Sequence, residues 1–142
     1  MKQLFLILLV LSLGACAPSN EADCMECRNW KLIQVKENDL VVYSQGGASL
    51  YPAYADFKFT LINQDRKVIY RDIIGAEFTG NWGMNADKTQ LMISNLSPLL
   101  YGTETELVFD IVSITQNSLV LKGTRANPKT GNTINEYTLT PL

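Results

Sequence analysis

The fold is set by the stretch Phe57-Lys58-Phe59-Thr60-Leu61-Ile62-Asn63-Gln64-Asp65-Arg66. In its first six residues Phe57, Phe59 and Leu61 alternate with the other three, which is the period of a β-strand with one apolar face. The next four residues are polar and favour a turn. The following segment, residues 68–74, is rich in β-branched and aromatic side chains and predicts a returning strand. The stretch therefore predicts an antiparallel hairpin.

The same period of two recurs along the rest of the chain. The other predicted strands cover residues 30–35, 40–43, 77–82, 90–94, 107–112, 119–121 and 136–140. Ile114 keeps its side of the strand before it only if a β-bulge lies near Ser113. Short turns join most strands, and no segment has the pattern of an amphipathic helix. About eight or nine strands in consecutive hairpins predict an all-β fold, an antiparallel up-and-down β-barrel of about eight strands, with a two-sheet sandwich as the alternative.

One long irregular stretch, residues 44–56, interrupts the hairpins. In a barrel it would lie across an open mouth. Tyr51 and Tyr54 within it, together with Trp82, are candidate ligand contacts at such a mouth, because an aromatic ring with a polar tip suits an amphipathic molecule. The alternative is packing, since half-buried tyrosines are common in strands and Trp30 and Trp82 could fill the barrel ends.

The amino terminus has the pattern of a bacterial lipoprotein signal. Lys2 precedes an apolar run, and Leu13-Gly14-Ala15-Cys16 has the form of a lipobox. We expect residues 1–15 to be cleaved as a signal peptide. Cys16 would then carry a diacylglycerol and an N-linked acyl chain such as palmitate. The apolar run is shorter than the roughly 20 residues that a membrane-spanning helix needs.

These expectations divide the chain into three parts. Residues 1–15 are the signal peptide, residues 16–28 a lipidated tether, and residues 29–142 the barrel domain. Ala17, rather than Asp, follows the lipidated cysteine. In Gram-negative lipoproteins that this start resembles, such a residue implies transport to the outer membrane. The expected location is therefore the outer membrane, lipid-anchored, at its periplasmic face or at the cell surface.

Composition excludes several function classes. The chain has 12 Lys and Arg against 14 Asp and Glu, a formal net charge of −2 and no histidine. Without a basic run, nucleic-acid binding is not expected. Without histidine, a Ser-His-Asp triad and most zinc sites are excluded. The carboxylates share no short motif, so we predict no catalytic residues, no enzyme activity, no metal centre and no cofactor beyond the lipid on Cys16.

Two further cysteines stand three residues apart, at Cys24 and Cys27. Outside the cytoplasm, a disulfide between them is the default expectation. A redox role would need a stabilised thiolate, for which Arg28 offers a positive charge and Glu26 an opposing one. Alternatively, two thiolates beside Met25 could hold Cu(I), which prefers sulfur ligands.

The order of sequence features along residues 29–142 resembles the lipocalin-like lipoproteins common in Bacteroidetes. The features are Trp30-Lys31-Leu32, Phe57-Lys58-Phe59-Thr60, Gly80-Asn81-Trp82, Asn85-Ala86-Asp87-Lys88-Thr89-Gln90-Leu91, Phe109-Asp110-Ile111-Val112-Ser113-Ile114, Leu119-Val120-Leu121 and Tyr137-Thr138-Leu139. The resemblance implies an up-and-down barrel with an interior cavity. The chain departs from a true lipocalin at Arg28, where lipocalins have Gly two residues before the first Trp.

A second, partial resemblance concerns the cysteine pair. A CxxC motif beside a small barrel of this strand order is similar to the NlpE family of copper-responsive outer-membrane lipoproteins. In that family the motif follows a Gly-x-Leu-Pro stretch, which is missing here. This resemblance implies that Cys24 and Cys27 carry a copper response.

Three functions follow as hypotheses. The first is binding, by the barrel, of a small apolar ligand or of an envelope component. The second is a structural or interaction module at the cell surface, with an envelope protein as partner. The third is a copper or redox sensor that works through Cys24 and Cys27.

Overall fold

The computed structural model describes residues 28–142. The strands are β1 (Trp30–Glu37), β2 (Leu40–Ser44), β3 (Lys58–Ile62), β4 (Lys67–Arg71), β5 (Glu77–Met84), β6 (Gln90–Ser97), β7 (Leu107–Ile114), β8 (Leu119–Gly123) and β9 (Asn135–Pro141). Short 3₁₀ helices lie at Pro52–Asp56, Gln64–Arg66 and Pro128–Thr130. Within residues 28–142, no helix is long and apolar enough to cross a membrane. The expected signal peptide, Cys16, Cys24 and Cys27 all lie outside the described residues.

The strands form a closed barrel. From β3 to β9 each strand pairs with the next in antiparallel fashion, and β1 pairs with both β9 and β3 to close the ring. Eight strands therefore make up the wall, and β2 is an additional strand that pairs with β1. This topology confirms the predicted up-and-down barrel and shows that the sandwich alternative is wrong.

One edge of β1 is shared between two partners. Near its start, Trp30 and Lys31 pair with β3, whereas from Gln34 onward the same strand pairs with β2. No ladder joins β2 to β3 among residues 28–142. The wall is thus split beside the second half of β1, and the chain between β2 and β3 must cover the split.

Apolar residues at alternate strand positions fill the interior. Its centre is an aromatic cluster of Phe57, Phe59, Tyr70, Phe78, Phe109 and Tyr137. The rings in contact within this cluster have centroids 5.5–5.9 Å apart. The interior of an eight-stranded barrel can be filled by side chains or can hold one small ligand. Here the aromatic rings fill the space in which the family resemblance implied a cavity.

Two details of the predicted strands can be compared with the structure. The β-bulge expected near Ser113 is confirmed, because the β7–β8 register shifts between Ile111 and Ser113. The prediction that the returning strand extends to Ile74 was wrong. β4 ends at Arg71, because the Asp72 carboxylate accepts hydrogen bonds from the backbone N–H groups of Ile74 and Ala76 and folds residues 72–76 into a turn.

Candidate functional site

The two ends of the barrel differ in the length of their connections. At one end, here called the terminal end, Asn29 accepts a bond from Leu142 N–H at 2.9 Å, and residues 63–66, 85–89 and 115–118 connect the strands. At the other, here called the loop end, lie residues 38–39, 45–57, 72–76, 98–106 and 124–134. Long loops held on a rigid barrel are the usual place for a binding site.

Tyr54 fills the split in the wall at the loop end. It lies in the 3₁₀ helix Pro52–Asp56, and its side chain is only 1% exposed. Its ring is 6.4 Å from Tyr43 of β2 and 5.5 Å from Phe57. Its hydroxyl donates a 2.6 Å hydrogen bond to Glu37 Oε1 at the end of β1. Tyr54 therefore connects the end of β1 and the strand β2 to the start of β3. Among the described residues, no backbone ladder joins either of them to the start of β3.

The environment of Tyr54 keeps its hydroxyl protonated. Burial raises the pKa of Tyr54 well above its ordinary value of 10.0, and the hydrogen bond to Glu37 raises it further. A short hydrogen bond from a hydroxyl group to a carboxylate is among the stronger hydrogen bonds in proteins. Tyr54 is consequently a fixed donor, and the negative charge of the pair resides on Glu37.

Beside Tyr54 the loop end has a cleft of about 300 Å³. Its lining residues are Glu37, Tyr51, Ala53, Tyr54, Ile73, Lys129 and Thr130. Tyr51 is 46% exposed, so its ring borders solvent. The volume is at the lower limit of small-molecule sites, which have about 300–1,000 Å³, and the few polar tips among apolar walls are typical of them.

A buried ion pair supports one side of this cleft. Lys129 Nζ contacts Asp72 Oδ2, and the Asp72 side chain is only 2% exposed. The same ammonium lies 5.5 Å from the ring of Phe78 and 5.4 Å from that of Tyr101, within cation–π range. Lys129 thus ties the 124–134 loop to the 72–76 turn, with its charge matched by Asp72.

The interior below the 124–134 loop has far less space than the cleft. A cavity of about 40 Å³ lies there, bordered by Tyr70, Tyr101, Tyr137, Asn127 and Asn135 among others. Each bound water needs about 10–15 Å³ of cavity volume. This cavity is therefore large enough for a few waters but too small for an organic molecule. A small-molecule ligand fits the cleft and not this cavity.

Alkaline pH is expected to destabilise the aromatic interior. Burial raises the pKa of Tyr137 to about 12 and that of Tyr70 well above 10.0. Above pH 10 the unfolded chain releases these protons while the folded chain retains them, so the free energy of unfolding falls as pH rises towards 12. Tyr137 alone is expected to contribute about 3 kcal/mol to this fall.

Urea unfolding of the wild type and of Tyr137→Phe between pH 8 and 11 measures this effect. The variant lacks one titrating hydroxyl, so its free energy of unfolding should fall less steeply above pH 10. Below pH 9 the two curves should run parallel. An equal slope in both proteins at high pH would contradict the role assigned to Tyr137.

The structure separates the three predicted contact residues. Tyr51 and Tyr54 both lie at the loop end and line the cleft. Trp82 lies at the terminal end, where it is buried, donates from Nε1 to the Ile62 carbonyl at 2.9 Å and lies under the Arg66 guanidinium. Ligand contact by these residues stays a prediction. Trp82 is packed at one end of the barrel, which is the alternative that the sequence analysis gave for it.

Three residues of the loop end were missed by sequence reasoning. Glu37 ends β1, whereas Asp72 and Lys129 lie in two different connections, and no sequence spacing relates the three. Asp72 falls within the predicted strand at residues 68–74. An Asp side chain can, however, accept a hydrogen bond from the backbone N–H two residues further on, which favours a turn. Among residues 28–142, no group of three or more Cys, Asp or Glu side chains is placed to hold a metal ion.

Comparison with solved structures finds a lipocalin-like neighbour. The chain is similar to a crystal structure of a lipocalin-like protein from Bacteroides uniformis, with 14% identity and a TM-score of 0.49. The match covers 81% of this chain and 96% of that one. No family model matches the sequence. No curated protein matches it either.

Proposed function

We propose that this protein is an outer-membrane lipoprotein whose barrel binds a small apolar ligand in the loop-end cleft. The observation that carries the proposal is the cleft itself, with a volume of about 300 Å³ beside a filled interior. Tyr51, Ala53 and Ile73 give it apolar walls, and the polar groups of Glu37 and Lys129 stand at its border. Such a combination binds an apolar body and orients a polar tip.

The size of the cleft sets the expected affinity. A six-carbon alcohol such as 1-hexanol has seven heavy atoms, and small ligands gain about 0.3–1.5 kcal/mol for each. An apolar chain lying against Tyr51 and Ile73 removes both surfaces from water, at about 0.8 kcal/mol for each buried CH₂ group. A dissociation constant of about 1 mM is therefore expected.

Filling the cleft should weaken this binding strongly. Ala53 is exposed and lines the cleft, so Ala53→Trp places an indole where the ligand would lie. Calorimetric titration of the full-length lipoprotein in nanodiscs with 1-hexanol, with empty nanodiscs as the blank, should show binding by the wild type and about tenfold weaker binding by the variant.

Lys122→Trp is the matched control, because Lys122 is exposed on β8 and lies outside the cleft. Its affinity should equal that of the wild type. Equal binding by all three proteins would place the ligand elsewhere, and absence of binding by the wild type would refute the proposed function.

The anchor is proposed from the lipobox. Cells fed labelled palmitate should incorporate it into the wild-type protein, and Cys16→Ser should lose the label because it lacks the acylated sulfur. Cys24→Ser and Cys27→Ser are the controls and should keep the label. Label retained by Cys16→Ser would refute the anchor and would not bear on ligand binding in the cleft.

A cell-surface interaction and a copper or redox response through Cys24 and Cys27 also stay predictions.

A further inference from the structure

We infer that the loop-end cleft selects organic cations, so that its ligand is a small amphipathic ammonium compound. The inference rests on the proposed function, since it names the ligand class of the same cleft. Of the charged side chains that line the cleft, one forms a salt bridge within the protein and the other does not.

Glu37 is the unmatched charge. Its Oε1 accepts the 2.6 Å bond from the Tyr54 hydroxyl, which orients the carboxylate but does not neutralise it. Within the part of the chain that the structure describes, no Lys or Arg nitrogen forms a salt bridge with Glu37. The residue is half-buried at the edge of an apolar cleft, where a carboxylate is screened less than on an open surface.

The other charges around the cleft cancel. Lys129 also lines it, but its ammonium is held against the buried Asp72 carboxylate and over two aromatic rings. An anionic ligand would have to compete with Asp72 for Lys129. A cationic ligand meets Glu37 without displacing any group of the protein, so charge complementarity favours a cation.

The aromatic wall of the cleft favours the same ligand. The exposed ring of Tyr51 lines the cleft, and the face of a phenol ring attracts a cation within about 6 Å. An ammonium group beside Glu37 could contact this ring while its hydrocarbon chain lies along Ile73 and Ala53. A primary ammonium can also donate a hydrogen bond to the Glu37 carboxylate, which an alcohol does more weakly.

Three six-carbon probes that differ in the head group test the inference. The full-length lipoprotein in nanodiscs is titrated with hexylammonium, 1-hexanol and hexanoate at pH 7. We expect hexylammonium to bind about five- to tenfold more tightly than 1-hexanol at low ionic strength. The difference should shrink at about 0.5 M salt, and hexanoate should bind most weakly.

Glu37→Gln keeps the acceptor for Tyr54 and removes only the charge, so it should bind hexylammonium no better than 1-hexanol. Glu77→Gln is the matched control, because Glu77 lies at the same end but pairs with Arg71 at 2.7 Å and does not line the cleft. It should keep the wild-type preference. The salt dependence of the wild type tests the charge even if Glu37→Gln fails to fold.

The outcomes separate the inference from the proposed function. Equal affinity of the wild type for hexylammonium and 1-hexanol would overturn the inference and leave the binding cleft standing. Tighter binding of hexanoate would also overturn it, with Lys129 as the governing charge. Failure of all three probes to bind would refute the proposed function and the inference together.

Discussion

We expect Phe59→Ala to lower the free energy of unfolding by about 3–5 kcal/mol. The Phe59 side chain is 0% exposed, and its ring contacts those of Tyr70, Phe109 and Tyr137 at 5.5–5.9 Å. These residues come from strands around the barrel, so removal of the ring leaves a hole that no single strand can close. Since small domains are stable by only about 5–15 kcal/mol, the loss should be a large part of the total.

Urea unfolding followed by tryptophan fluorescence measures this change, because Trp30 and Trp82 are both buried. Val112→Ala is the control. Val112 is 54% exposed on the outer face of β7, so the change there should stay within about 0.5 kcal/mol. A loss below about 1 kcal/mol for Phe59→Ala would contradict the description of a filled, tightly packed interior.

Lys129→Met should cost about 3 kcal/mol of stability. The substitution keeps a long apolar stem but leaves the Asp72 carboxylate, 2% exposed, without its counter-charge. Asp72 would retain only the backbone N–H donors of Ile74 and Ala76, at 3.0 and 2.9 Å. Breaking one side of a buried pair is costly because the remaining charge stays desolvated.

A double-mutant cycle distinguishes this loss from a loss of packing. Asp72→Asn with Lys129→Met removes both charges, and the double variant should be more stable than Lys129→Met alone. Lys122→Met, on the exposed outer wall, is the control and should change stability little. If the two losses simply add, the ion pair does not hold the two loops together as described.

The sequence predicted the wall of the barrel well because its signal is local. Alternation in a run such as Phe57 to Ile62 depends only on which face of a strand is buried, and polar turns mark where each strand ends. The prediction failed at residues 72–74, where apolar residues continue but Asp72 bonds back to the chain. A side chain that captures backbone N–H groups ends a strand whatever the hydrophobicity of its neighbours.

The loop end was predicted only in part. Residues 44–56 were expected to lie across a mouth. Tyr51 and Tyr54 within them line the cleft, and ligand contact by these two residues stays a prediction. The sequence did not show that Tyr54 would be buried against Glu37 or that Lys129 would reach Asp72 across 57 residues. Such pairs form only when the barrel closes, because closure brings together loops that are far apart in the sequence.

We expect a ligand to bind in the loop-end cleft and not inside the barrel. Methyl NMR of the isotope-labelled lipoprotein in nanodiscs, titrated with 1-hexanol, tests it most directly, because isoleucines report on both places. Ile73 lines the cleft, whereas Ile93 is 0% exposed in the interior. We expect a saturable shift of the Ile73 methyl signal with the Ile93 signal unchanged. A saturable shift of Ile93 without one of Ile73 would contradict it.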